Sequence, residues 1–75
     1  MNLHLTPPGG LARIRRLSGD PSIRERLAEL GLTPGQVVRL LRRAPLGDPI
    51  EVLVRGYRLA VRREEAVAVE VESGA

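Results

Sequence analysis

Only two residues, Arg55 and Gly56, stand between Val54 and Tyr57, and on both sides of them the chain reads as a short run of alternating character. A two-residue turn joins antiparallel strands directly. Ile50-Glu51-Val52-Leu53-Val54 is therefore expected to fold back on Tyr57-Arg58-Leu59-Ala60-Val61. The turn sets the register: Val54 with Tyr57, Val52 with Leu59 and Ile50 with Val61, all six on one face. The other face pairs Leu53 with Arg58 and Glu51 with Ala60, and a slip of one residue would mix the two sets. Tyr57 is thus expected in the inward set, and Leu53 is left as an apolar residue on the outer face.

Two further turns precede this hairpin. Thr33-Pro34-Gly35-Gln36 has proline second and glycine third, as a type II turn requires. Ala44-Pro45-Leu46-Gly47-Asp48-Pro49 is the other. Between them, Val37 to Arg43 is apolar at Val37, Val38, Leu40 and Leu41, the imperfect alternation of a strand that wraps round a small barrel beneath a helix. Upstream, Leu11 to Leu17 reads as a strand with Ala12 and Ile14 inward, Arg13 and Arg15 outward, and a bulge at Arg16-Leu17 that returns Leu17 to the core.

Ser18-Gly19-Asp20-Pro21 leads into a helix whose start lies within Asp20 to Ser22. One cap is Asp20 with Pro21 at the first helical position; the other is Ser22 with Glu25 three residues on. Ile23, Leu27 and Leu30 recur at helical spacing and form the buried stripe, with Arg24, Glu25, Arg26 and Glu29 outward. Gly31 is the left-handed stop, and Leu32 is placed to fold back on Leu27. After the hairpin, Arg62 to Ala66 reads as a short helical turn. Val67, Val69 and Val71 then alternate with Ala68, Glu70 and Glu72 as a last strand, and Ser73-Gly74-Ala75 is expected to fray. At the other end, Asn2-Leu3-His4-Leu5 reads as an extended lead-in to the stiff segment Thr6-Pro7-Pro8-Gly9-Gly10, with Leu3 and Leu5 on one side and His4 on the solvated side. The elements add up to a mainly β fold over residues 1–75, a small SH3-like barrel of about five strands with one short helix inserted after the first strand.

At 75 residues the chain is a single domain that has to bury its apolar side chains efficiently. Leucine, valine and isoleucine carry the core, because the chain has no Phe or Trp and one Tyr. With no cysteine, a disulfide framework and a thiolate metal site are both excluded, and a reducing compartment is the simplest home. The first ten residues lack the apolar run of a signal peptide, and no long apolar span occurs, so the expected location is cytoplasmic and not membrane-inserted. The net charge is +3, and all 12 basic residues are arginine.

No catalytic, cofactor-binding or metal-binding set emerges, so the chain is not expected to be an enzyme. Ser18, Ser22, Ser73, Thr6 and Thr33 all fall at turns, caps or the tail rather than beside a base. Glu64-Glu65 and Glu70-Glu72 read as solvated charge, and phosphate-binding glycine loops are absent. Arg13, Arg15, Arg16, Arg39, Arg42 and Arg43 suggest a nucleic-acid stripe as an alternative. No aromatic stacking platform is interleaved with them, since Tyr57 is assigned to the hairpin, so nucleic acid is not favoured.

Three stretches together resemble the ferrous iron transport protein A (FeoA) family: Leu30-Gly31-Leu32-Thr33-Pro34-Gly35, Arg43 to Val52, and Gly56 to Ala66. The similarity runs from Leu3 to Val71, although Gly10 stands where many relatives carry an acidic residue. What the resemblance implies is a small cytoplasmic accessory or adaptor protein, with no cofactor, that partners a large membrane ferrous iron transporter bearing a GTPase domain. A related domain ends the iron-dependent repressors, but this chain has no room for their DNA-binding and dimerisation parts. Self-association stays open. For the partner surface the expectation rests on Leu46 and Pro49 in an exposed turn and Leu53 on the outer hairpin face, with Arg55 and Arg58 steering an acidic partner.

Overall fold

The computed structural model describes residues 1–73. Its elements are a 3-10 turn at Leu3–Leu5, β1 (Leu11–Leu17), α1 (Pro21–Glu29), β2 (Val37–Arg43), β3 (Ile50–Val54), β4 (Tyr57–Val61), α2 (Arg63–Ala66) and β5 (Val69–Ser73). The five strands form one antiparallel sheet in the order β4-β3-β2-β1-β5. The sheet curls round a core of aliphatic side chains supplied by every strand, by Leu27 and Leu32 at the end of α1, and by Leu3 and Ala66.

The hairpin has the register that its turn dictates, from Val54 opposite Tyr57 to Ile50 opposite Val61. Arg55 (φ 52°) and Gly56 (φ 85°) are both left-handed, the type I′ geometry that matches strand twist. The inward set differs from expectation at one end. Ile50, Val52, Val54 and Val61 are buried, but Tyr57 is 43% exposed because β4 is an edge strand and only the end of α1, at Leu30 and Gly31, meets the ring. The type II turn forms as read, with Gln36 N–H donating to Thr33 O at 3.1 Å and Gly35 at φ 91°.

The irregularities of β1 and β2 are both bulges, although the sequence predicts one only in β1 and a wrapping strand in β2. The β1–β5 register shifts between Ile14 and Arg16, one residue before the expected place, and Leu17 packs against the core. The β2–β3 register shifts between Leu40 and Arg42. That extra residue explains the imperfect alternation of β2: Leu41 is added to the strand, so apolar residues stand side by side without both facing inward.

Asp20, rather than Ser22, caps α1. Its carboxylate accepts from Ile23 N–H at 3.1 Å, and the Ser22 hydroxyl donates to the same oxygen at 2.7 Å. Those two bonds, the Ser22 hydroxyl first, hold the Asp20 carboxyl below the usual carboxylate range. At the other end Leu32 N–H donates to Leu27 O and Gly31 N–H to Ala28 O, both at 3.0 Å, which is a Schellman stop with Gly31 at φ 91°. The apolar contact that accompanies it buries Leu27 and Leu32 completely.

Four readings are corrected. The lead-in is a 3-10 turn closed by Thr6 N–H to Leu3 O at 3.1 Å, not an extended run, so Leu3 is fully buried while Leu5 is 60% exposed. His4 is half-buried rather than solvated. Val67 lies at the end of α2, exposed, and Ala68 takes the buried place before β5. Glu65 is also not a solvated charge: it is buried, accepts from Arg62 N–H at 3.1 Å and pairs with Arg26 Nε at 2.6 Å, tying α2 to α1. The expected fraying of the tail falls partly on residues 74 and 75, outside the described residues.

Candidate functional site

Two serine hydroxyls are engaged in structure: Ser18 Oγ donates to Ala68 O at 3.1 Å and Ser22 Oγ belongs to the helix cap, while Thr6 Oγ1 is buried without a hydrogen-bond partner among the described residues. Among the described residues no group of three His, Cys, Asp or Glu side chains is arranged to hold a metal ion, and no helix is long and apolar enough to cross a membrane. The arginines considered for a nucleic-acid stripe are mostly engaged. Arg13, Arg16 and Arg42 pair with Glu72, Glu70 and Glu51, while Arg39 and Arg43 donate to backbone carbonyls. The one ring, Tyr57, donates its hydroxyl to Leu30 O at the end of α1.

The most conspicuous surface feature is the β2–β3 loop. Ala44 N–H donates to Pro49 O at 3.0 Å across its base, and Gly47 N–H donates to Ala44 O at 2.7 Å within it. Gly47 sits at φ 87°, which a side chain would resist. Asp48 accepts from Arg63 N–H at 2.9 Å and so fastens the loop to α2. These bonds hold the backbone, and they leave Leu46 91% exposed at the tip. A leucine held in water by a braced loop does not cap the barrel end; it is displayed.

Cations rim this end of the molecule. The Arg63 guanidinium runs beside Gly47, 3.7 Å from where a Cβ would stand, and Arg43 donates to Thr6 O at 2.8 Å. His4 shares their field. Burial pushes its imidazole below the ordinary range, Arg43 and Arg63 push it further, and Asp48 opposes them. Its Nδ1 is buried with no hydrogen-bond partner among the described residues.

The five residues expected to form the partner surface fall into two groups. Leu46 and half-buried Pro49 belong to the loop. Leu53 lies on the outer face between Arg39 of β2 and Arg58 of β4, and Arg58 reaches Glu51 at 4.0 Å. Arg55 is at the opposite tip of the hairpin, about 13 Å further along β3 at the rise of an extended strand. Leu46 and Arg55 therefore do not share a patch. Arg63 takes the place of Arg55 and Arg58 at the Leu46 loop, and sequence reasoning missed it because α2 reaches the loop only through the tertiary fold.

Comparison with known proteins adds the following. A family model described as FeoA domain matches residues 1–73. The chain is 35% identical over 72 residues to an Fe(2+) transport protein A/Fe(2+) transporter FeoB fusion protein of Porphyromonas gingivalis; the match covers 96% of this chain and 8% of the fusion protein. Among solved structures, the FeoA protein of Chlorobium tepidum is 41% identical, with a TM-score of 0.90 over all of this chain and 71% of that one. FeoA of Stenotrophomonas maltophilia, solved with zinc and described as a prokaryotic SH3 domain protein, is 33% identical, with a TM-score of 0.82, covering 96% of this chain and 89% of that one.

Proposed function

Because the chain belongs to the FeoA family, and so to a family linked to ferrous iron transport, we propose that it is an accessory adaptor in the cytoplasm. In this reading it docks on the cytoplasmic GTPase part of a FeoB-type membrane transporter and modulates nucleotide turnover or transport. One observation carries the proposal: in the Porphyromonas gingivalis relative, a segment alike over 96% of this chain is joined to FeoB in one polypeptide. Covalent fusion keeps two modules at high effective concentration, which is useful when they act on each other.

Leu46 supplies the docking point. An isolated leucine in water gains about 1.5–3 kcal/mol when a partner pocket buries it fully, enough to be an anchor in a small interface. Arg43 and Arg63 beside it attract an acidic rim and raise the association rate. The adaptor acts by binding; Ser18, Ser22 and Glu65, for example, are committed to a backbone bond, a helix cap and an ion pair.

The test is a pull-down and GTPase assay with the purified cytoplasmic part of the cognate transporter, comparing the natural chain with Leu46→Glu. Binding is expected to weaken by at least about tenfold, the loss of a central anchor. Undiminished binding by the variant removes the loop from the interface, and absence of binding by the natural chain removes the adaptor role.

A further inference from the structure

The two edges of the sheet are treated differently. β5 is covered, because Val71 donates its N–H to Met1 O at 2.8 Å and Asn2 bridges to Glu70. β4 is open: it pairs with β3 without a bulge along its whole length and has no strand on its other side among the described residues. In a ladder that starts from a two-residue turn, Tyr57, Leu59 and Val61 exchange hydrogen bonds with β3, so the N–H and C=O groups of Arg58 and Ala60 point away from the sheet. Neither residue makes another backbone hydrogen bond among the described residues. Edges of this kind are usually blunted by lysine, proline or a bulge, and β4 has only Arg58.

The side chains along β4 define what fits. On the outer face, Arg58 is 77% exposed and reaches Glu51 only at 4.0 Å, while Arg42 lies nearer that carboxylate at 3.6 Å. Its charge is best met by an acid on an added strand. On the inner face Tyr57 is part-exposed and Leu59 half-buried, so an apolar residue there completes the core's margin.

The chain already contains one strand of this chemistry. In β5, Glu70 and Glu72 lie on Arg16 and Arg13 of β1 at 3.0 and 3.6 Å, while Val69 and Val71 are buried beneath. We propose that β4 is a docking edge for an extended segment of an acidic partner protein, in which acidic and apolar residues alternate, added to the sheet as a further strand. A second copy fits less well, because β4 carries an arginine and no acid and the chain's net charge is +3.

The probe is a capped heptapeptide alternating valine and glutamate, with lysine replacing glutamate in the control, titrated into the full chain and followed by amide NMR. The Arg58 and Ala60 amides are expected to shift and to gain protection from hydrogen exchange with the glutamate peptide and not with the lysine peptide. Arg58→Glu should reverse the preference. Ala60→Pro removes an outward N–H without touching the β3 ladder and should weaken binding about tenfold; if it unfolds the chain, Arg58→Glu decides alone. Leu46→Glu should leave peptide binding unchanged, which separates this edge from the docking loop. Shifts confined to the Leu46 loop, no shifts at all, a single-stranded oligonucleotide competing at β4, or concentration-dependent pairing of two copies through β4 would each overturn the proposal.

Discussion

Gly31→Ala tests the junction where α1, the hairpin tip and the core meet. Gly31 sits at φ 91°, so alanine there incurs the left-handed penalty of about 1–2 kcal/mol. A Cβ at this position would also stand 2.7 Å from the Tyr57 hydroxyl oxygen, closer than carbon and oxygen can approach. The ring has to move, and its hydrogen bond to Leu30 O is lost, at about 1 kcal/mol. The sum is about 2–3 kcal/mol, or a fall in Tm of roughly 10–20 °C for a domain of this size. Tyr57→Phe alone should cost about 1 kcal/mol. In that background the nearest ring carbon is an ordinary 3.9 Å from the new methyl, so Gly31→Ala should show only its backbone cost. The four proteins, unfolded in urea and followed by far-UV circular dichroism, should therefore give a coupling of about 1 kcal/mol. Strict additivity would show that the hydroxyl does not occupy the space where a side chain would go.

Further outcomes follow from other residues. Glu65→Ala strips Arg62 N–H and Arg26 of a buried acceptor and should cost about 1–2 kcal/mol in chemical denaturation, with Glu65→Gln recovering part of it. Arg55→Asn places a residue that tolerates left-handed backbone at φ 52° and should raise stability by about 0.5–1 kcal/mol. His4 binds its proton less readily in the fold than in the unfolded chain, because burial, Arg43 and Arg63 outweigh Asp48. Its contribution is therefore intact above the ordinary pKa of 6.5 and is lost as pH falls through that value towards the folded pKa. Melting curves between about pH 8 and pH 5 should show this slope in the natural chain and not in His4→Gln.

The hairpin register, the type II turn, the Asp20 cap and the Schellman stop at Gly31 were legible because each is set by residues close together in sequence, and backbone sterics leave few choices for proline, glycine and paired strands. The candidate site was legible only in part. Leu46 in a Pro- and Gly-bounded turn signals exposure by itself, and the structure places it in water. The cations beside it were assigned to Arg55 and Arg58, which the register sends along the hairpin away from the loop. Arg63 comes beside Gly47, the neighbour of Leu46, because Asp48 accepts from its backbone, a contact 15 residues apart in the chain.

The sequence by itself determined where the five strands and their turns lie and which face each hairpin residue takes, since alternation and turn chemistry act over two to six residues. Only the tertiary structure decided which faces are covered. Tyr57 has an inward register position and is still part-exposed, because β4 became an edge; Glu65 reads as surface charge and is buried, because α1 brings Arg26 to it. The same nonlocal packing covers the β5 edge with Asn2 and leaves β4 bare. Neighbouring residues fix where a side chain points, but whether anything lies there to meet it depends on segments that are distant in the chain.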